Sequence, residues 1–159
     1  LYGDNNDTKI IMDFVGIDKM SLVDFDEYLS ITLFTEGCNF RCPFCHNGSL
    51  VLNQHNPIIP WDEIKALLKD RIGKIDAVVI TGGEPLIHSD IVDKIKEIKE
   101  MGYRIKLDTN GTNPKLVKEL IDEKLKNVME LRLKYQEASS AVDVVLVKRH
   151  DELTKLIYP

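Results

Sequence analysis

The sequence predicts an α/β fold of parallel strands and helices, arranged as a partial (β/α) barrel. Short apolar runs alternate along the chain with segments whose apolar residues recur at helical spacing. Strand, helix and strand in series pair in parallel through right-handed crossovers. A closed eight-stranded barrel needs about 250 residues, so a chain of 159 residues forms only part of one. An open doubly wound sheet is the alternative that the same pattern allows.

The first elements follow from apolar spacing and turn residues. We expect irregular chain up to Ser30, with an apolar patch at residues 10–15. Ile31–Phe34 is predicted as a strand, followed by a turn-rich loop from Gly37 to about Pro60. The next helix ends at a glycine cap, Gly73, and its apolar face consists of Ile64, Leu67, Leu68 and Ile72.

Two further strands and a helix come next. Ala77–Ile80 is a continuous apolar run, as expected of a buried parallel strand. A helix with one apolar face is predicted to begin at Ser89 and to end at Gly102. Arg104–Leu107 forms the following strand.

The C-terminal part of the chain has a weaker pattern. Asn113 is predicted to cap a helix that has Pro114 at its first position. Beyond Lys126 the remaining predictions are a strand at Val142–Val147 and a helix at Asp151–Tyr158. We expect residues 1–159 to form a single domain.

The composition narrows the classes of partner. The net charge is −5, and acidic and basic residues are mixed along the chain. This pattern predicts binding neither to nucleic acid nor to the surface of an anionic membrane. The longest apolar runs fall short of the roughly 18 residues that span a bilayer, and the N-terminus does not resemble a signal peptide. A cytoplasmic location is therefore expected.

Three cysteines, Cys38, Cys42 and Cys45, occur in one short loop. Three thiolates from one loop can each bind one iron of a cubane cluster and leave the fourth iron open. Three alternatives compete with this interpretation. Cys42–His46 matches the C-x-x-C-H haem attachment pattern, His46 could complete a Cys₃His zinc site, and the cysteines could be structural.

Two other unusual segments also follow predicted strands. Thr81–Pro85 carries two glycines, which would let a ligand lie against the backbone, and a carboxylate, Glu84, which suits an ammonium group. Asp108–Gly111 is a favourable turn sequence. Because active sites of such folds lie at the C-terminal ends of the strands, we expect these segments and the cysteine loop to meet there.

The C-x₃-C-x₂-C spacing, with an aromatic residue before the last cysteine, resembles the signature of the radical S-adenosylmethionine superfamily. Within it, Glu36–Asn47 resembles the glycyl-radical-enzyme activases, and Ser21–Phe25 is similar to the lead-in of the anaerobic ribonucleotide reductase activators. The similarity covers residues 14–126, with the core motifs at 31–126. Residues 127–159 match poorly, since Arg132–Lys134 stands where the family has an Asp-x-Lys pair.

This resemblance implies a partial barrel of the radical S-adenosylmethionine type, with one [4Fe–4S] cluster and S-adenosylmethionine as cofactors. It implies Cys38, Cys42 and Cys45 as the cluster ligands, and no side chain acting as acid or base. The residues implied at the cofactor are Phe44, Cys45, His46, Gly82, Gly83, Glu84, Asp108 and Thr109.

The implied reaction is abstraction of a hydrogen atom from a glycine of a partner glycyl radical enzyme, more specifically an anaerobic ribonucleotide reductase. Flavodoxin or ferredoxin is the implied electron donor. One alternative within the superfamily is an enzyme for a small molecule, such as 7-carboxy-7-deazaguanine synthase. An alternative of another class is a non-catalytic zinc-binding module.

Overall fold

The computed structural model describes residues 10–52, 57–122, 129–137 and 140–146, which build one six-stranded sheet with helices between its strands. The strands are β1 (Phe14–Ser21), β2 (Ser30–Thr35), β3 (Ala77–Gly82), β4 (Arg104–Thr109), β5 (Met129–Glu137) and β6 (Ser140–Leu146). The helices are α1 (Gly48–Val51), α2 (Trp61–Arg71), α3 (Ile91–Glu100) and α4 (Pro114–Asp122), with a 3₁₀ turn at Pro85–Ile87.

Each strand pairs with the next one along the chain, so that the order is β1-β2-β3-β4-β5-β6. The four central strands, β2 to β5, are parallel, whereas β1 and β6 are antiparallel strands at the two edges. A doubly wound sheet would reverse its strand order at a switch point, and this order does not. The predicted α/β fold, with a partial barrel of parallel strands, is confirmed.

One face of the sheet carries the main core. Parallel register aligns apolar side chains of β2, β3 and β4 in two rows, Ile31 with Val78 and Ile105, and Leu33 with Ile80 and Leu107. The helix residues that pack in the same core are Ile64, Leu68, Ile91, Ile95, Ile98, Val117 and Leu120. Helices α2, α3 and α4 therefore cover the same face of the sheet, as successive crossovers of one hand require.

The opposite face of the sheet is more polar. Thr32, Val79 and Lys106 are neighbours across β2, β3 and β4. Segment 22–28 lies over this face, where Phe25 packs with Ala77 and Val79. The Thr32 hydroxyl donates to Asp24 Oδ2 at 2.6 Å, and Lys106 Nζ donates to the Asp24 carbonyl oxygen. These bonds satisfy polar side chains that the fold buries.

The N-terminal prediction was wrong, because Phe14–Ser21 forms a strand rather than irregular chain. β1 is an edge strand with exposed Asp18 and Lys19, so its sequence lacks the continuous apolar run of a central strand. Charged residues at a sheet edge hinder pairing with another chain.

Other element boundaries also differ from the predictions. The turn-rich loop contains the short helix α1, and Ile72 is 52% exposed just beyond the end of α2 rather than on its apolar face. Helix α3 begins after Asp90 rather than at Ser89. The predicted strand Val142–Val147 appears as Ser140–Leu146, since Val147 and the predicted helix Asp151–Tyr158 lie outside the described residues.

Three of the predicted helix caps, Asn113, Gly73 and Gly102, are present, whereas Ser89 does not cap α3. Asn113 Oδ1 accepts a hydrogen bond from the Leu116 N–H at 3.1 Å, at the start of α4. Gly73 and Gly102, after the ends of α2 and α3, have φ of +76° and +92°, in the left-handed region that glycine adopts without a steric penalty. None of the helices in the described ranges is long and apolar enough to cross a membrane.

Candidate functional site

The three unusual loops meet at one edge of the sheet. Parallel register places Thr35, at the end of β2, beside Gly82, at the end of β3. The Glu84 N–H donates to the Gly37 carbonyl oxygen at 2.8 Å, so the loop after β3 contacts the residue before Cys38. The Asn110 N–H, just after β4, donates to Glu84 Oε2 at 2.6 Å. The expected convergence of the loops is therefore observed.

The cysteine loop presents three free thiols that are each partly buried. The Phe40 N–H donates to Cys38 Sγ at 3.3 Å, and the Cys45 N–H donates to the Cys42 carbonyl oxygen at 3.1 Å. Burial raises the pKa of the Cys38 thiol, although the Phe40 N–H opposes that shift. Phe44 is 53% exposed at the tip of the loop, and His46 is also exposed.

The two glycines at the end of β3, Gly82 and Gly83, are required by contact between backbones. A Cβ on Gly83 would lie 1.8 Å from the Gly37 carbonyl oxygen, and a Cβ on Gly82 would lie 2.5 Å from Thr35 N and O. Gly82 also has a φ of +111°. The chain that leads into the cysteine loop therefore occupies the position that a side chain would take at either glycine.

Glu84 is 1% exposed, and its carboxylate joins two loops. Besides the Asn110 N–H, it accepts the Thr109 hydroxyl at 2.6 Å and the Leu86 N–H at 2.9 Å, both on Oε1. In the structure Glu84 therefore braces the loops after β3 and β4. The sequence alone gives no signal for this role, because the donors that join the two loops, the Thr109 hydroxyl and the Asn110 N–H, are distant from Glu84 in sequence.

Asp108 and Thr109 end β4 rather than forming the predicted turn, and they point to opposite faces, as successive strand residues do. Thr109 faces Glu84. Asp108 shares its face with Lys106, whose Nζ lies 3.9 Å from Asp108 Oδ1. This oxygen is buried and accepts no hydrogen bond within the described part of the chain.

The residues before β1 are hydrogen-bonded to the residues that follow the 3₁₀ turn Pro85–Ile87. The Ile11 carbonyl oxygen lies 3.2 Å from Nδ1 of the buried His88, which donates to it. Burial lowers the pKa of His88, while this bond and the nearby Asp90 and Asp13 carboxylates act in the opposite direction. Burial thus favours the neutral form of His88 within the fold.

The donor set fits an iron–sulfur cluster. Thiolates are the ligands that such clusters use, and N–H groups near the sulfurs stabilise them. No three His, Cys, Asp or Glu side chains are gathered around a single metal-ion position in the described ranges. A cubane does not need that arrangement, because each cysteine binds a different iron.

Comparisons with known proteins agree with this chemistry. The model of the radical SAM superfamily matches residues 32–135. Two proteins of Methanocaldococcus jannaschii, provisionally named glycyl-radical enzyme activating enzymes, are 38% and 36% identical over 75% and 65% of this chain. A 7-carboxy-7-deazaguanine synthase of Halobacterium salinarum is 36% identical over 52% of the chain. The aligned parts are 49%, 38% and 32% of these relatives, so the chain spans about half of their length or less.

Proposed function

This chain belongs to the radical SAM superfamily, whose cofactors are a [4Fe–4S] cluster and S-adenosylmethionine, and from that premise we propose that it activates a glycyl radical enzyme. The supporting observation is the name shared by the two M. jannaschii relatives, together with their identity over 75% and 65% of the chain. Membership makes the protein a radical S-adenosylmethionine enzyme. The glycine-bearing protein substrate is the proposal.

The proposed cluster ligands are Cys38, Cys42 and Cys45. Their support is that all three are free and partly buried, and that a backbone N–H already donates to one sulfur. These three residues would hold the cluster, whose chemistry would be the one-electron reduction of S-adenosylmethionine that precedes removal of a hydrogen atom from the substrate. The chain's own residues bind and orient the cofactor and shield it from water.

Asp108 is proposed to contact S-adenosylmethionine. A buried carboxylate oxygen without a hydrogen-bond donor costs free energy unless a ligand supplies one. Gly82, Gly83, Glu84 and Thr109 act less directly in this proposal, since they fix the loops around the cofactor. Phe44 and His46 are exposed on the cysteine loop, a position from which they can contact the cofactor or the partner.

The test of the proposed activity is anaerobic. The chain is reconstituted with iron and sulfide, reduced with a flavodoxin or ferredoxin system, and mixed with S-adenosylmethionine and a candidate partner such as an anaerobic ribonucleotide reductase. We expect the doublet of a glycyl radical in the electron paramagnetic resonance spectrum. The Cys42→Ala variant is the control, because it should lack the cluster and give no doublet.

Two results would contradict the proposal. Turnover of a small heterocycle without a radical on any partner would favour the small-molecule class, which the name of the H. salinarum relative represents. Stoichiometric zinc in place of iron and sulfide would favour a zinc-binding module.

A further inference from the structure

We propose that Asn110 is a positioning residue that tunes the reduction potential of the cluster, by directing the positive end of its side-chain amide at Cys38 Sγ. The inference rests on the proposed binding of the cluster by Cys38. It concerns a residue of the Asp108–Gly111 segment that the sequence analysis did not place among the residues at the cofactor.

The backbone of Asn110 is fixed by the brace described above. Its N–H donates to the buried Glu84 carboxylate at 2.6 Å, and its neighbour Thr109 donates to the same carboxylate at 2.6 Å. Charge-assisted hydrogen bonds of this kind are stronger than those between neutral groups. The Asn110 side chain therefore starts from a fixed position at the end of β4.

One backbone N–H decides which way the Asn110 amide faces. The Thr112 N–H can only donate a hydrogen bond, and one terminal atom of the Asn110 side chain lies 3.0 Å from its nitrogen. Because that atom must accept, it is the amide oxygen, Oδ1. The Thr112 hydroxyl also donates to this oxygen, at 2.7 Å. Nδ2 is consequently the atom on the other side, where it lies 4.0 Å from Cys38 Sγ.

The rest of the network agrees with this orientation. Because its proton is used on Asn110, the Thr112 hydroxyl accepts from Asn39 Nδ2 at 2.7 Å. The Asn39 oxygen is then free to accept from Asn110 Nδ2 at 2.8 Å. Asn39 directly follows Cys38, so the network joins the loop after β4 to the cysteine loop immediately beside the proposed cluster ligand.

The effect on the cluster follows from electrostatics. Reduction adds one negative charge to the cluster and its thiolate ligands. The positive end of an amide dipole stabilises the reduced form more than the oxidised one, and hydrogen bonds to the sulfurs are known to set cluster potentials. Asn110 thus makes the cluster easier to reduce.

The test compares three reconstituted variants with the wild type. Asn110→Ala removes the amide, and Asn110→Asp keeps the shape and the acceptor for Thr112 but replaces the N–H₂ with a charged oxygen. Asn113→Ala is the matched control, since Asn113 caps α4 through the Leu116 N–H and is not linked to Cys38. Iron and sulfide content and the midpoint potential, from an anaerobic titration followed by electron paramagnetic resonance, are measured for each.

We expect wild-type iron content in both Asn110 variants, with a midpoint potential shifted to more negative values, further for Asp than for Ala. Asn113→Ala should keep the wild-type potential. An unchanged potential at full iron content would overturn the inference. Loss of iron in both Asn110 variants would also overturn it, since Asn110 would then serve assembly. A wild-type chain that binds no cluster would instead refute the proposed function.

Discussion

Replacing Gly83 with alanine tests how the loop after β3 supports the cysteines. The new Cβ would lie 1.8 Å from the Gly37 carbonyl oxygen, whereas real Cβ atoms essentially never come closer than 3.0 Å. The two segments must therefore separate by about 1.2 Å, which also strains the hydrogen bond between the Glu84 N–H and this oxygen. Gly37 directly precedes Cys38, so the displacement reaches a proposed cluster ligand.

The cost has two parts. Overpacking costs typically about 1–3 kcal/mol, and loss of the hydrogen bond adds roughly 1 kcal/mol. A total of about 2–4 kcal/mol is smaller than the free energy of unfolding of most domains, about 5–15 kcal/mol. We therefore expect Gly83→Ala to fold with reduced stability. A site that must be held within about 0.5 Å should lose much of its iron.

The measurements are chemical denaturation of the apo chain and iron content after anaerobic reconstitution. Gly48→Ala is the matched control, because Gly48 lies in the helix that follows the cysteine loop and a Cβ there meets nothing within 4 Å. That variant should keep both wild-type values. If Gly83→Ala keeps wild-type stability and iron, the contact with Gly37 does not support the loop, and the glycine would have to be explained by a ligand.

Three other substitutions test individual contacts. Glu84→Gln should lower the free energy of unfolding by about 1–3 kcal/mol, because the single amide oxygen cannot accept from both the Leu86 N–H and the Asn110 N–H, which donate to different oxygens of Glu84; equal denaturation midpoints for the variant and the wild type would contradict this role of Glu84. Tyr103→Phe should cost roughly 1 kcal/mol, since the buried Tyr103 hydroxyl donates to the Leu68 carbonyl oxygen at 2.6 Å, and thermal melting measures this. The fold lowers the pKa of His88 from 6.5, so that the unfolded chain takes up the imidazole proton at a higher pH than the folded chain does. The contribution of neutral His88 to the free energy of unfolding is therefore complete above pH 6.5 and is lost as the pH falls toward the folded pKa. His88→Asn, which keeps a donor for Ile11, should flatten that part of a pH–stability curve, and an unchanged slope would refute the assignment.

The central strands β2, β3 and β4 were predictable because burial on both faces leaves a direct trace in the sequence, whereas the fourth central strand, β5, was not predicted. Ala77–Ile80 is apolar throughout, and residues on both sides of β3 are buried. The edge strand β1 was missed, since it is held by backbone pairing with β2 and needs few apolar side chains. Periodicity detects side-chain burial and not backbone pairing.

The site was predictable in its residues and less so in their roles. Each of the three motifs, the cysteine loop, Thr81–Pro85 and Asp108–Gly111, follows a predicted strand, and this order correctly predicted that they meet at one edge of the sheet. The roles of Glu84 and Gly83 depend on partners distant in sequence, Asn110 and Gly37, and such pairings cannot be derived from local patterns. The assignment of the cofactor contacts remains a prediction.

The brace by Glu84 also determines how this edge of the sheet opens and closes. Bonds at the Glu84 N–H, the Asn110 N–H and the Gly83 N–H connect the loops after β2, β3 and β4. Loops connected in this way open as one cooperative unit rather than separately, and their amides then share one free energy of exchange with solvent. The conformational entropy of the three loops is thus lost during folding and not when the cofactors bind.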